Sequence, residues 1–205
     1  MRIQACKQLN ASTPLALCTF DNFSLSYYPN EPSDSGISAY QQMEQILRYC
    51  KAHAAQFSMD APNLLMQGGT GLGKTHLSLA IAHEAIEKGY GVIYGSAQNM
   101  VTNLEKERFQ KDNEQQDTNQ LMLQCDLLII DDLGTEFSTS FVTAAIYNIV
   151  NTRLMTHKPT IISTNLSMKE LEERYTERFA SRILGSYIPL FFRGKDIRQQ
   201  KRRKK

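Results

Sequence analysis

The chain has 205 residues, 41% of them apolar, and a formal net charge of +2, which suits one soluble domain with a sizeable core. No apolar run approaches the roughly 20 residues needed to cross a bilayer, and the opening MRIQACKQLNAS has no apolar stretch of the secretory kind, so a cytoplasmic protein without a membrane partner is expected. Cys6, Cys18, Cys50 and Cys125 form no CxxC pair and read as reduced thiols, with neither zinc nor disulfide expected.

Residues 1–36 read as an irregular lead-in, because Pro14, Pro29, Pro32 and the Ser/Asp/Gly cluster at 33–36 interrupt any regular element. Helical spacing of Met43, Ile46, Leu47, Tyr49 and Cys50 predicts a helix over Ile37–Phe57. A short apolar strand, Asn63–Met66, runs into Gly68-Gly69. A helix follows over Thr75–Lys88, with Gly89 as its stop signal. Val92–Tyr94 is a strand, Ala97–Phe109 a helix, and 110–119 an exposed loop. Leu127–Ile130 is a strand that ends on Asp131-Asp132. A helix over Phe141–Met155 leads to a strand over Thr160–Ser163. Ser167 and Glu170 have capping-box spacing and start another helix. One more helix is predicted over Thr176–Leu184. Strands alternating with helices imply an α/β fold with a mostly parallel sheet covered on both faces.

The chain ends on a basic run. Eight of the 23 basic residues but only one of the 21 acids lie between Arg193 and Lys205, leaving 15 basic against 20 acidic residues in the body. Such a tail attracts nucleic acid or serves as a solvated end, and the sequence supports both readings.

Gly68-Gly69-Thr70-Gly71-Leu72-Gly73-Lys74-Thr75 matches G-x-x-x-x-G-K-[ST], between a strand and a helix. Glycines let successive N–H groups curl inward around phosphate oxygens, and the helix start adds its dipole. Lys74 is expected on the β- and γ-phosphates of ATP and Thr75 on a magnesium ion; His76 completes the phosphate-binding set. Asp131, at the end of a buried strand, is the second expected magnesium holder, through water. Asp132 is the candidate for polarising the attacking water, with Glu136 as the alternative. Asn165, after Ile161-Ile162-Ser163-Thr164, is expected at the same crevice, where strand C-termini converge.

GGTGLGKTHLSLAIA, LLIIDDLGTE, IISTN and ERFASRIL, in this order, resemble the ATPase domain of bacterial replicative helicase loaders of the DnaC/DnaI type. The transposition helper IstB shares these motifs. The resemblance covers roughly residues 20–200 and implies a P-loop NTPase with an AAA+ core. On that reading 1–36 is the lead-in, 37–192 the AAA+ ATPase domain and 193–205 the basic tail. Phe20-Asp21-Asn22-Phe23 resembles the segment ahead of the ATPase core, near the adenine. Arg182 matches an arginine finger acting on ATP of a neighbouring subunit, with Arg178 one helical turn earlier, so self-association through the ATP site is implied. Arg198 resembles the sensor-2 arginine. The helix Ala97–Phe109 lies where loaders and initiators contact single-stranded DNA. Lys106 and Arg108 suit phosphates, although Glu105 and Glu107 interleave as on a solvated face. Loaders of this kind usually carry an extra N-terminal domain that binds the helicase; about 35 residues precede the first helix here.

Three functions fit: an ATP-dependent loader that binds single-stranded DNA and helps place a replicative helicase, an IstB-like transposition helper, and an adaptor that hydrolyses ATP weakly. Asp132 and Arg182 argue for hydrolysis.

Overall fold

The computed structural model of the protein describes residues 18–32, 36–109 and 118–203. A 3-10 turn, Leu25–Tyr27, precedes α1 (Ala39–Ala55). Ser38 sets that start: its hydroxyl accepts from Gln41 N–H while the Gln41 side chain accepts from Ser38 N–H. There follow β1 (Asn63–Gln67), α2 (Lys74–Glu87), β2 (Val92–Ser96), α3 (Ala97–Phe109), α4 (Thr118–Gln124) and β3 (Leu127–Leu133). The chain continues through α5 (Ser140–Met155), β4 (Thr160–Thr164), α6 (Met168–Tyr175), α7 (Glu177–Ser186), β5 (Tyr187–Phe191) and α8 (Ile197–Arg203).

The strands form one parallel sheet in the order β2-β3-β4-β1-β5. Alternation along each strand divides its side chains between two layers. Leu64 and Met66 of β1, with Leu127 and Ile129 of β3, pack under α1, α2 and the aromatic residues Phe20, Phe23 and Tyr28. Leu65, Leu128, Ile130 and Ile162 face the other way, against α3, α4, α5, α6 and α7. The P-loop helix α2 and the helix α7 that carries Arg178 and Arg182 therefore lie on opposite sides of the sheet.

Arg153, on α5, anchors the entry edge of the sheet. It is 0% exposed, and carbonyls satisfy it: Met122 at 2.7 Å, Cys125 at 3.0 Å and Pro159 at 2.7 Å, with the Thr160 hydroxyl 3.0 Å from Nε. A buried guanidinium needs this many acceptors to offset its desolvation.

The predicted helices and strands are present, with ends shifted by a few residues. Gly89, at φ 86°, closes α2 as its sequence signal implies. Ser167 and Glu170 form the expected box at the start of α6. Three elements have no counterpart in the sequence reading: α4, β5 and α8. Of the predicted loop 110–119, residues 118 and 119 belong to α4, and 110–117 lie outside the described residues, as do Cys6, most of the lead-in, Lys204 and Lys205. Among the described residues no helix is long and apolar enough to cross a membrane.

Candidate nucleotide-binding site

β1 delivers the P-loop to the C-terminal edge of the sheet, and α2 begins at Lys74. Gly73 precedes it at φ 91°, where a Cβ would also come within 2.8 Å of the Phe23 ring; only glycine meets both conditions. Gly71 is similar, because at φ 69° its missing Cβ leaves room for the Asp196 carboxylate. The Tyr28 hydroxyl donates to Leu72 O at 2.8 Å and pins the loop from outside.

The loop opens on a cleft of about 310 Å³, whose walls include Thr70, Gly71, Leu72, Gly73, Lys74, Thr75, His76, Asp132 and Arg198. Asn22, Phe23, Ser24, Tyr27, Ile197 and Lys201 complete it. Gly68 and Gly69 form the loop floor: their carbonyls accept from Lys74 Nζ at 2.7 and 2.8 Å. Burial pushes the Lys74 ammonium below its usual pKa, Asp132 and Asp131 oppose this, and Arg198 adds to it. His76 Nε2 lies 2.9 Å from Thr19 O, and its ring meets Phe23 edge-on.

Asp131 is buried and held by three hydroxyls. Thr75 donates at 2.9 Å, Tyr94 at 2.8 Å and Ser163 at 2.5 Å. Asp131 shares the strand face of Leu127 and Ile129, the face that α2 covers, which is why it meets Thr75. Burial and the neighbouring Asp131 charge push the Tyr94 hydroxyl above its usual pKa, so it stays a donor. The Thr75 hydroxyl and the Asp131 carboxylate form an adjacent pair of hard oxygen donors, which fits magnesium.

Asp132 sits where the β3–β4 pairing shifts register. Its backbone is left-handed, at φ 52°, and its N–H donates to Ser163 Oγ at 2.9 Å instead of to the ladder. This irregularity turns the side chain out of the sheet and into the cleft. Although solvent reaches the residue, partial burial of the carboxyl and the Asp131 charge raise its pKa, with Lys74 and Arg198 opposing.

Glu136, the alternative base, is not at the cleft. It is buried, pairs with Arg174, accepts from the Tyr175 hydroxyl and accepts from Gly134 N–H at 3.0 Å. Its partners occupy it as a brace between the β3–α5 loop and α6. Asn165 is also absent from the cleft walls. Thr164 Oγ1 donates to Leu133 O and accepts from Leu166 N–H, a tight turn that leaves Asn165 exposed on its outside. Arg182 lies away from the cleft of its own chain, with Nε donating to the Tyr147 hydroxyl at 3.2 Å. Arg198, by contrast, is on the wall. The end of the chain folds back as α8, Ile197 N–H donates to Gly71 O at 3.0 Å, and Lys201 sits 5.4 Å from the Tyr27 ring centroid. From Ile197 on, the described part of the basic run is thus helical, and its start meets the P-loop, which neither sequence reading of the tail foresaw. Of the cations suggested on α3, Lys106 is exposed and Arg108 lies over the Phe141 ring at 5.0 Å.

A family model described as IstB-like ATP binding protein matches residues 40–188. The chain belongs to that family. It is an AAA+ P-loop ATPase. The replicative helicase loader DnaC of Buchnera aphidicola from Acyrthosiphon pisum is 25% identical over 89% of this chain and 70% of its own length. DnaC of Escherichia coli K12 is 28% identical over 71% of this chain and 60% of its own length. The initiator DnaA of Campylobacter jejuni is 28% identical over 92% of this chain and 43% of its own. The chain therefore spans between about two fifths and seven tenths of these relatives. The fold matches a crystal structure of the DnaC helicase loader with a TM-score of 0.72 at 20% identity, over 89% of this chain and all of that one. Aquifex aeolicus DnaA bound to AMPPCP matches with 0.72 at 21% identity, over 94% of this chain and 56% of that one.

In this IstB-like protein the sequence reading missed Tyr94, Ser163, Tyr27 and Lys201. A serine inside the apolar run of β4 was the visible signal for Ser163. The others meet the site only through tertiary packing.

Proposed function

We propose that this chain is a DNA-replication ATPase that binds single-stranded DNA and, using ATP and magnesium, assists loading of the replicative helicase. The observation that carries it is the hydrogen-bonded joint between Thr75 and Asp131, which unites P-loop and β3 beside a cleft lined by Lys74, Asp132 and Arg198. The loader role itself is supported by relatives named replicative helicase loader DnaC, and the DNA partner by the structural likeness to a DnaA bound to single-stranded DNA.

The loop N–H groups and the α2 start bind the polyphosphate, and Lys74 moves from loop carbonyls to phosphate oxygens. Thr75 and, through water, Asp131 would hold magnesium, which supplies charge neutralisation when bound. Asp132 accepts a proton from the attacking water as the bond from the γ-phosphorus to the ADP oxygen breaks. Arg198 steadies the phosphates of its own subunit, and Arg182 reaches those of a neighbour, so the working unit is an assembly.

The test combines ATPase rate, with and without single-stranded DNA, and co-sedimentation with the purified replicative helicase of the source organism. Stimulation by DNA together with helicase binding is expected. A rate indifferent to DNA and no helicase binding would overturn the loader role. The match to the IstB-like model favours a second reading, a transposition helper; stimulation by duplex DNA and a transposase instead would establish it.

A further inference from the structure

A carboxylate offers about four lone-pair sites, two on each oxygen. At Asp131 hydroxyl protons take up most of them. Thr75 shares its one proton between Oδ2 at 2.9 Å and Oδ1 at 3.2 Å. Tyr94 donates to Oδ2 at 2.8 Å, and Ser163 to Oδ1 at 2.5 Å. Oδ2 thus receives two hydroxyls, which fills it, and the capacity left is on Oδ1. Two of these donors have other duties: Thr75 belongs to the P-loop, and Ser163 also accepts from Asp132 N–H. Among the described residues the Tyr94 hydroxyl bonds to Asp131 alone. In the β2–β3 register Tyr94 is opposite Ile129, and Ser96 is opposite Asp131. The buried Tyr94 ring therefore runs diagonally along the strand to reach the carboxylate, a span open to aromatic side chains. Phenylalanine would fill the same apolar layer and need no partner for a hydroxyl.

A carboxylate occupied in this way suits one kind of cation. Magnesium gives up its waters reluctantly and accepts a carboxylate that meets it through one of them, whereas calcium gathers more oxygens and takes carboxylates directly, often through both oxygens. Thr75 can offer a lone pair to a cation while its proton stays on Asp131, so occupation of the site need not free Oδ2. We propose that Tyr94 sets the cation preference of the nucleotide site: by filling Oδ2 it keeps Asp131 from embracing a cation directly and so favours magnesium over calcium. Tyr94 acts only through Asp131, as a positioning residue. The inference rests on the ATPase reading above, which assigns no role to Tyr94.

The experiment titrates the full chain with a non-hydrolysable ATP analogue by calorimetry, in EDTA as the reference, then in Mg²⁺ and in Ca²⁺. Wild type and Tyr94→Phe are compared, each checked by its melting curve. The wild type should prefer Mg²⁺. In Tyr94→Phe the affinity contributed by Mg²⁺ should fall about 10–100-fold, the usual cost of removing a hydrogen-bond partner from a metal-holding carboxylate. The Ca²⁺ contribution should fall far less, so the ratio of the two drops. An equal fall with both cations would overturn the proposal and leave Tyr94 as a prop for Asp131; no change with either would overturn it as well. A second measurement needs no variant of Tyr94. With Mn²⁺ as the probe and ¹³C-labelled aspartate carboxylates, electron–nuclear double resonance on the wild type should show no directly bonded carboxylate. A direct bond that persists in Asp132→Asn would overturn the proposal even if Tyr94→Phe did not fold. A wild type whose analogue affinity is the same in EDTA and in every divalent ion would bring down the ATPase reading itself, and this inference with it.

Discussion

The two ends of the cleft are built in different ways. At the phosphate end, residues from β1, α2, β3 and β4 interlock: Lys74 on two carbonyls, Asp131 under three hydroxyls, and Asp132 turned outward by a register shift. At the opposite end, the segments 18–32 and 193–203 approach from outside the sheet. They are held by bonds such as Tyr28 to Leu72 O and Ile197 to Gly71 O, by Lys201 over Tyr27, and by Phe20, Phe23 and Tyr28 packed on the core. The first end is pre-organised by the sheet; the second can move without breaking any strand pairing. Chemistry needs the first property, and entry and release of nucleotide need the second.

Substitutions can break this contrast or sharpen it. The largest effect is expected for Asp132→Asn, which tolerates the left-handed backbone and removes only the proposed base: turnover should fall by about 10²–10⁴ with nucleotide affinity kept, measured as steady-state hydrolysis beside a binding titration. The same residue sets a pH dependence. Because its pKa is raised, the carboxylate is lost as pH falls through a value above the ordinary Asp range; the acid limb of kcat/KM should lie correspondingly high, and it should vanish in the Asn variant. Next comes Lys74→Ala, for which calorimetry should record a loss of about 100-fold in nucleotide affinity, the value of a strong charged hydrogen bond. Ser163→Ala leaves Asp132 N–H without its acceptor and removes one of the three donors to Asp131, so denaturant melts should show a loss of about 1–3 kcal/mol. The smallest effect belongs to the outer end. Lys201→Ala removes an exposed cation–ring pair, at about 0.5–1 kcal/mol, and should weaken nucleotide binding only two- to fivefold. If Lys201→Ala matched Lys74→Ala, the two ends would be equivalent and the contrast would fail.

Much of this architecture was legible because the inner end uses local signals. The P-loop, the apolar run before Asp131 and the stop at Gly89 are each written in consecutive residues. The outer end is not. α8 reads IRQQKRR, which has no apolar period; it stands because Asp196 caps it and Gly71 receives it. β5 carries Pro189 and a broken burial pattern, tolerable on an edge strand. α4 takes its N-terminal partner from Glu107 on the preceding helix. Proximity in sequence also misled: Glu136 is four residues beyond Asp132, yet its partners Arg174 and Tyr175 lie nearly forty residues away and face it elsewhere. Tyr94 joins Asp131 only because β2 and β3 are neighbours, a pairing that periodicity does not encode.

The placement of cleft and arginine pair on opposite sides of the sheet has a stoichiometric consequence. In the assembly proposed above, if one copy's arginines meet the next copy's cleft head to tail, the contact passes from one copy to the next, and either closes on itself or stays open. An open row of n copies holds n − 1 completed clefts. One end always shows a cleft without arginines, and the other shows arginines without a cleft. Specific activity then rises with row length toward a plateau, and a dimer reaches only half of it. The two termini are chemically different, so a copy lacking the arginines and a copy lacking a working P-loop would poison opposite ends of the same row.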